Sequence, residues 1–258
     1  MQKLDLAKLD LIFDEFNHRY VLDGRWVPGV SSISGTLPKE WLANWAAKEV
    51  VGAVRSQWLP EKAYTTKEIE DILYFAKGAH NRKKEQAADK GTEAHGWFET
   101  YVKSGIEPAL PADPAVLNAV NRFREWRDEV KVEWVSSELV VGSRKHKFAG
   151  KLDAIAVING RTALADFKTS NGIFPEYYVQ TAGYQLALEE MGLAKILTAL
   201  GLPPMEDRWI LRFPKAGNDF EARLVPTTFA ADKKAFLCAR GIYEYLSKQD
   251  KTNQWPKK

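Results

Sequence analysis

The sequence predicts an α/β fold, a strand-rich centre set between helices. Three observations predict it. Residues 132 to 170 hold apolar runs of strand length, broken at Asn159-Gly160, a strong two-residue hairpin signal. Segments on either side, 38 to 58 and 175 to 192, repeat apolar residues at helical spacing. The chain has 258 residues, 45% hydrophobic and 28% charged, enough for one substantial core of ordinary globular composition.

In chain order, HRYVLDGRWVPGVSSIS (18 to 34) reads as a hairpin around Asp23-Gly24. PKEWLANWAAKEVVGAVRSQW (38 to 58) reads as a helix with Pro38 in its first turn. Residues 66 to 103 read as two helices, the second being NRKKEQAADKGTEAHGWFETYV. SGIEPALPADP (104 to 114), with three prolines and a glycine, is a loop, and AVLNAVNRFREWRDEV (115 to 130) a helix. VEWVSSELVVG (132 to 142) opens the strand-rich centre. PEYYVQTAGYQLALEEMG (175 to 192) reads as an amphipathic helix, and WILRFPKAGNDFEARLV as a hairpin around Gly217-Asn218. A helix over 229 to 247 and a polar tail close the chain. The expected organisation is one domain: 1–85 as an N-terminal hairpin and helical lobe, 86–225 as the core, 226–258 as a C-terminal helix and tail.

The net charge of +3 permits a polyanionic partner without announcing one, so any basic patch is local. The single cysteine, Cys238, excludes an internal disulfide framework and a four-cysteine iron–sulfur cluster. The first residues lack a signal-peptide apolar core, and no run of about eighteen apolar residues occurs. The expectation is an intracellular (cytoplasmic) protein with no membrane span.

The informative stretch is GKLDAIAVINGRTALADFKTS, 150 to 170. With a two-residue turn at Asn159-Gly160, Ile158 pairs with Arg161, and counting back sets Asp153 opposite Asp166. Like charges directly opposed repel. Lys168, two residues from Asp166, shares its face. A hard divalent cation turns that repulsion into coordination, with Lys168 beside a bound water or phosphate. The competing reading is a surface patch in which Lys168 neutralises both acids, which strains one lysine against two carboxylates.

Other residues extend the pattern, each with a plain alternative. His95, four residues after Gly91, is a ligand or an ordinary helix histidine. Gln180 and Tyr184 share a helix face and serve a lysine, water or phosphate, or else pack. Glu138 is a further ligand, an outer-sphere acid or a solvated strand residue. Arg144, Lys145 and Lys147 contact phosphate or form a solvated hairpin tip. Trp41, Trp45 and Trp97 are base-stacking platforms or core.

The order Gly-x-x-x-His (91 to 95), Gly-x-x-Asp (150 to 153), Asp-x-Lys (166 to 168), Gln-x-x-x-Tyr (180 to 184) resembles the PD-(D/E)XK nuclease superfamily. More closely it resembles the RecB-like exonuclease branch, with its phage-type and mitochondrial genome maintenance members. Gly150 stands where the superfamily name would suggest proline, a variation frequent in that branch. The resemblance implies a restriction-endonuclease-like αβββαβ core with a mixed central sheet flanked by helices. It implies one or two Mg²⁺ or Mn²⁺ ions on His95, Asp153, Asp166 and the Phe167 carbonyl. Lys168 is then the catalytic lysine, supported by Gln180 and Tyr184. The implied function is metal-dependent DNA exonuclease activity in phage or bacterial recombination or repair. A recombinase or single-strand-binding protein is the implied kind of partner. A structure- or sequence-directed endonuclease and an inactive DNA-binding module are the alternatives, and a trimer and a monomer both fit.

Overall fold

The computed structural model describes residues 9–14, 16, 17, 19–170, 172–213 and 220–252. The turn expected at Gly217-Asn218 and the end of the polar tail lie outside the described residues, as do the side chain of Trp41 and the surroundings of Gly91. The chain divides into two compact units, Pro38–Glu93 and the remainder, Met1–Leu37 with Ala94–Lys258. The expected lobe boundary at residue 85 therefore falls inside the smaller unit, and the N-terminal hairpin groups with the core instead.

In the larger unit, β1 (Leu11–Asp14), β2 (Arg19–Leu22) and β3 (Arg25–Val27) form a small antiparallel sheet. Asp23 (φ 49°) and Gly24 (φ 72°) both adopt the left-handed conformation that a type I′ turn demands. Only the end of the expected hairpin is not strand: beyond β3, Val30–Ser34 is a short helix, α1, whose Val30 and Ile33 are fully buried. Burial of that apolar pair outweighs the β preference of a Val/Ile/Ser stretch.

The smaller unit contains α2 (Glu40–Gln57), α3 (Thr66–Lys77) and the first part of α4 (Ala79–Ser104). Pro38 precedes the α2 N-cap, Lys39, rather than joining the first turn. Thr65 and Glu68 form a reciprocal capping box at the start of α3. Trp58 and Tyr64 stack at 4.9 Å across the α2–α3 connection.

α5 (Pro114–Glu129) starts one residue earlier than expected, because Pro114 takes the first helical position and Asp113 caps Ala115 and Val116. The main sheet follows: β4 (Val132–Ser143), β5 (Phe148–Ile158), β6 (Arg161–Thr169), then α6 (Pro175–Glu190), α7 (Leu193–Ala199), β7 (Met205–Phe213) and β8 (Glu221–Leu224). The sheet is mixed. Pairs are antiparallel except β6 with β7, which run parallel through the α6–α7 crossover. The order α5-β4-β5-β6-α6-β7 follows the expected αβββαβ sequence, and α8 (Phe229–Thr252) closes the chain.

Alternation along β6 splits the core. Ala163, Ala165 and Phe167 face Phe98 of α4 and Phe123 of α5, with Phe98 and Phe213 stacked at 4.3 Å. Leu164 joins α1, α6 and α8 on the other side. α6 is not amphipathic as expected. Residues 181 to 188 are all buried, because α8 covers the side turned away from the sheet. A buried ion pair, Arg208 with Asp232 at 2.7 Å, ties β7 to α8.

Candidate functional site

The Asn159-Gly160 turn forms as expected, with φ of 52° and 77°. Pairing runs from Ile158↔Arg161 to Ala154↔Ala165. Asp153 and Asp166 come next in that count. There the ladder stops, and the Asp153 side chain replaces a rung: its Oδ2 accepts the Phe167 backbone N–H at 2.6 Å. Phe167 is fastened on its other side by the aromatic core, so the acid is held against a rigid strand.

Asp166 is 1% exposed. Its Oδ1 accepts from Gln180 Nε2 at 3.3 Å, and its Oδ2 lies 2.6 Å from Lys168 Nζ without a well-aligned hydrogen bond. Burial pushes the Asp166 carboxyl up to about 6, with Lys168 pulling it down and Asp153 pushing it further up. Burial raises Asp153 as well, against the pull of Lys168 and of the Phe167 N–H. For Lys168, burial disfavours the charge, but Asp166 and Asp153 outweigh it and hold the ammonium above its usual range. Two acids and one cation at close quarters leave an excess negative charge in a poorly solvated place.

His95 approaches from α4, its Nδ1 3.9 Å from Asp153 Oδ1, too far for a hydrogen bond. Burial and the Lys168 ammonium lower its pKa, so the ring is neutral at neutral pH. The Asp166 and Glu138 carboxylates, and after them the Phe167 backbone, work the other way without outweighing this. Glu138 sits across from Asp153 on β4, between the pairs Ser137↔Ala154 and Leu139↔Leu152. Its backbone is left-handed (φ 53°), and its carboxylate forms a close ion pair with Lys151.

Gln180 links the site to α6. Its amide donates to Asp166 and, at 3.2 Å, to the Tyr184 hydroxyl. Tyr184 is only 5% exposed, so its phenol supports Gln180 from inside. Gly150 explains that depth: a Cβ there would meet Tyr184 Cε1 at 2.6 Å and Val30 Cγ2 at 2.9 Å.

Three residues with no role assigned from sequence also line the site. Lys151, two before Asp153, was readable from the period-2 rule. Glu99, one turn after His95 on α4, adds negative charge beside Glu138 and Asp153. Tyr177 places its ring 5.2 Å from Lys168 Nζ.

The cationic loop is not brought to this cluster. Arg144 makes a two-pronged bond to Asp23 at 2.7 Å, and the Lys147 carbonyl accepts from Arg240. Lys145 shares their turn, and Asp153 lies five residue steps along β5 from Phe148, about 16 Å at ~3.3 Å per residue. Trp97 is core, 6% exposed with its indole N–H on the Ala109 carbonyl, and no stacking platform. Among the described residues, no three His, Cys, Asp or Glu side chains stand so that they could together hold a metal ion, and no helix is long and apolar enough to cross a membrane.

No family model and no curated protein matches the chain. Solved structures similar to it include three that are described by name. One is LHK-Exo in complex with dAMP, at 12% identity over 88% of this chain and 94% of that one, TM-score 0.37. Another is the alkaline exonuclease LHK-Exo from Laribacter hongkongensis, at 10% identity over 81% and 98%, TM-score 0.30. The third is SSO0001, at 14% identity over 52% and 62%, TM-score 0.29. Likenesses this distant leave any activity to be argued from the site itself.

Proposed function

We propose that this protein is a divalent-metal-dependent deoxyribonuclease, acting as an exonuclease on DNA in recombination or repair. The observation that carries the reading is the Asp166 carboxylate. It is buried beside Asp153, has Lys168 at 2.6 Å, and keeps an oxygen without a well-aligned donor.

The donor chemistry fits a hard ion such as Mg²⁺ or Mn²⁺: two carboxylates, the Phe167 carbonyl and a neutral imidazole, His95. Such an ion, when bound, would supply Lewis-acid charge and acidify a water. The chain's own residues do the rest. The Phe167 N–H holds one Asp153 oxygen and leaves the other directed to His95. Gln180 fixes the rotation of the Asp166 carboxylate, with Tyr184 behind it. Lys168 stays protonated through the physiological range, so it offsets charge on phosphate oxygens as phosphorus becomes five-coordinate. Glu138 keeps Lys151 at the rim, where its ammonium meets the DNA backbone.

Digestion of 5′- and 3′-labelled single-stranded and duplex DNA, with closed circular DNA alongside, tests this. The expected result is Mg²⁺- or Mn²⁺-dependent release of nucleotides from ends, absent in EDTA and in Lys168→Ala. Cleavage of closed circles would make it an endonuclease, and no cleavage with either metal would overturn the reading.

A further inference from the structure

We propose that Tyr177 is the positioning residue of Lys168, holding its ammonium against the ring face by a cation–π contact. The inference rests on the nuclease reading for its catalytic consequence but not for the contact itself. A lysine side chain carries about 2 kcal/mol of rotamer entropy and behaves as a point charge on a flexible stem. The single carboxylate oxygen at 2.6 Å does not by itself fix where that charge sits. The Tyr177 ring centroid lies 5.2 Å from Nζ, inside the ~6 Å range of attraction by an aromatic face.

The placement follows from two periodicities. Asp166 and Lys168 are two apart on β6, about 6.6 Å along the strand. Gln180 and Tyr177 are three apart on α6, neighbours at about 5–6 Å. The helix that crosses this face therefore meets each charged residue with one side chain: Gln180 on Asp166, Tyr177 on Lys168. The ring is fastened in turn. Its hydroxyl contacts the Ser170 hydroxyl, and Phe174 packs edge-on at 5.7 Å. Ser170 also donates to the Gly172 carbonyl at 2.7 Å, bracing the connection from β6 to α6. What acts on the lysine is the electron-rich ring, and the hydroxyl only orients it.

Full-length protein carrying phenylalanine, or phenylalanine with one, two or three ring fluorines, at position 177 tests this, with Tyr177→Leu as the limit. Fluorine drains charge from the ring face while keeping its shape. The expected result is that Tyr177→Phe rescues most of kcat on labelled DNA. Each added fluorine then lowers kcat, reaching about tenfold for three and for leucine, with KM little changed, as loss of a ~1.4 kcal/mol contact requires. A flat fluorine series overturns the proposal, whatever leucine does. A second arm needs no activity. In metal-free protein, the Lys168 Cε methylene resonances, identified by their loss in Lys168→Arg, should show the ring-current shift in wild type and Tyr177→Phe and lose it in Tyr177→Leu. Unchanged Lys168 resonances in Tyr177→Leu overturn the contact. If wild type cuts no DNA while the shift is present and lost as expected, the nuclease reading fails and the contact stands.

Discussion

The Asp153 carboxylate accepts the backbone N–H of Phe167 at 2.6 Å, one step beyond the last paired residues of the β5–β6 hairpin, Ala154 and Ala165. An acid thus replaces a ladder bond and faces a second acid, Asp166. The arrangement costs charge repulsion and keeps a backbone donor satisfied, two effects that different substitutions separate.

Asp153→Asn keeps an acceptor for the Phe167 N–H and removes the charge. Its melting temperature in EDTA at pH 8 should equal or exceed that of wild type, while DNA hydrolysis falls by at least about a thousandfold, the scale of losing a principal electrostatic group. Asp153→Ala strands the donor, at a cost of about 1–3 kcal/mol. It should melt several degrees lower by differential scanning calorimetry. A lower melting temperature for the asparagine variant would favour a stabilising salt-bridge patch over a metal site.

The raised carboxyls set the pH dependence of the metal-free protein. Asp166 titrates at about 6 when folded, against 3.8 ordinarily. A raised carboxyl pKa means the folded state holds its proton more tightly. The associated stability is complete below about pH 4 and is lost as pH rises through about 6. Relative to Asp166→Asn, wild type should lose on the order of 2–3 kcal/mol between pH 4 and pH 7, at about 1.4 kcal/mol per unit. Chemical denaturation in EDTA at several pH values measures it. Mn²⁺ at pH 7.5 should raise the wild-type midpoint and leave that of Asp166→Asn unmoved.

The β5–β6 register was legible because Asn159-Gly160 admits essentially one kind of turn, and a period of two does the rest. Helix positions were legible where local chemistry marks them, as Asp113-Pro114 marks α5. What sequence concealed depends on contacts between distant segments. The Asp153 bond to Phe167 arises where pairing ends, and no count of residues shows that. The helical state of Val30–Ser34 depends on burial against α6 and α8, and the full burial of α6 depends on α8 covering it. Arg144, read as a phosphate contact or part of a solvated hairpin tip, is bound by Asp23, 121 positions away. Tyr177 escaped notice because a ring three residues before Gln180 matters only once α6 crosses β6.

Two glycines separate packing from site geometry. At Gly150 an added methyl meets Tyr184 and Val30 under 3 Å, and at Gly183 it meets the buried Phe236 ring at 2.5 Å. Each alanine variant should lose about 1–3 kcal/mol by overpacking. Only Gly150→Ala pushes on Tyr184 and so on Gln180 and Asp166. Its kcat per folded molecule should fall about tenfold or more, while Gly183→Ala keeps wild-type kcat at temperatures where it is folded. Equal kcat in both would detach Tyr184 from the site.

Gln180→Glu probes the charge balance with almost no change in shape. The Gln180 amide donates to Asp166 Oδ1 at 3.3 Å and to the Tyr184 hydroxyl at 3.2 Å. A carboxylate there keeps a partner in the tyrosine, which can donate its proton, but faces Asp166 as a third acid beside one lysine. In EDTA at pH 8 the variant should be destabilised by more than Gln180→Leu, which only removes a donor. Near pH 5, where the crowded acids share protons, the order should close or reverse. Denaturant midpoints for the two variants at both pH values measure it. An unchanged gap between pH 5 and pH 8 would mean that position 180 does not sense the Asp166 charge, and Gln180 would then be a packing residue alone.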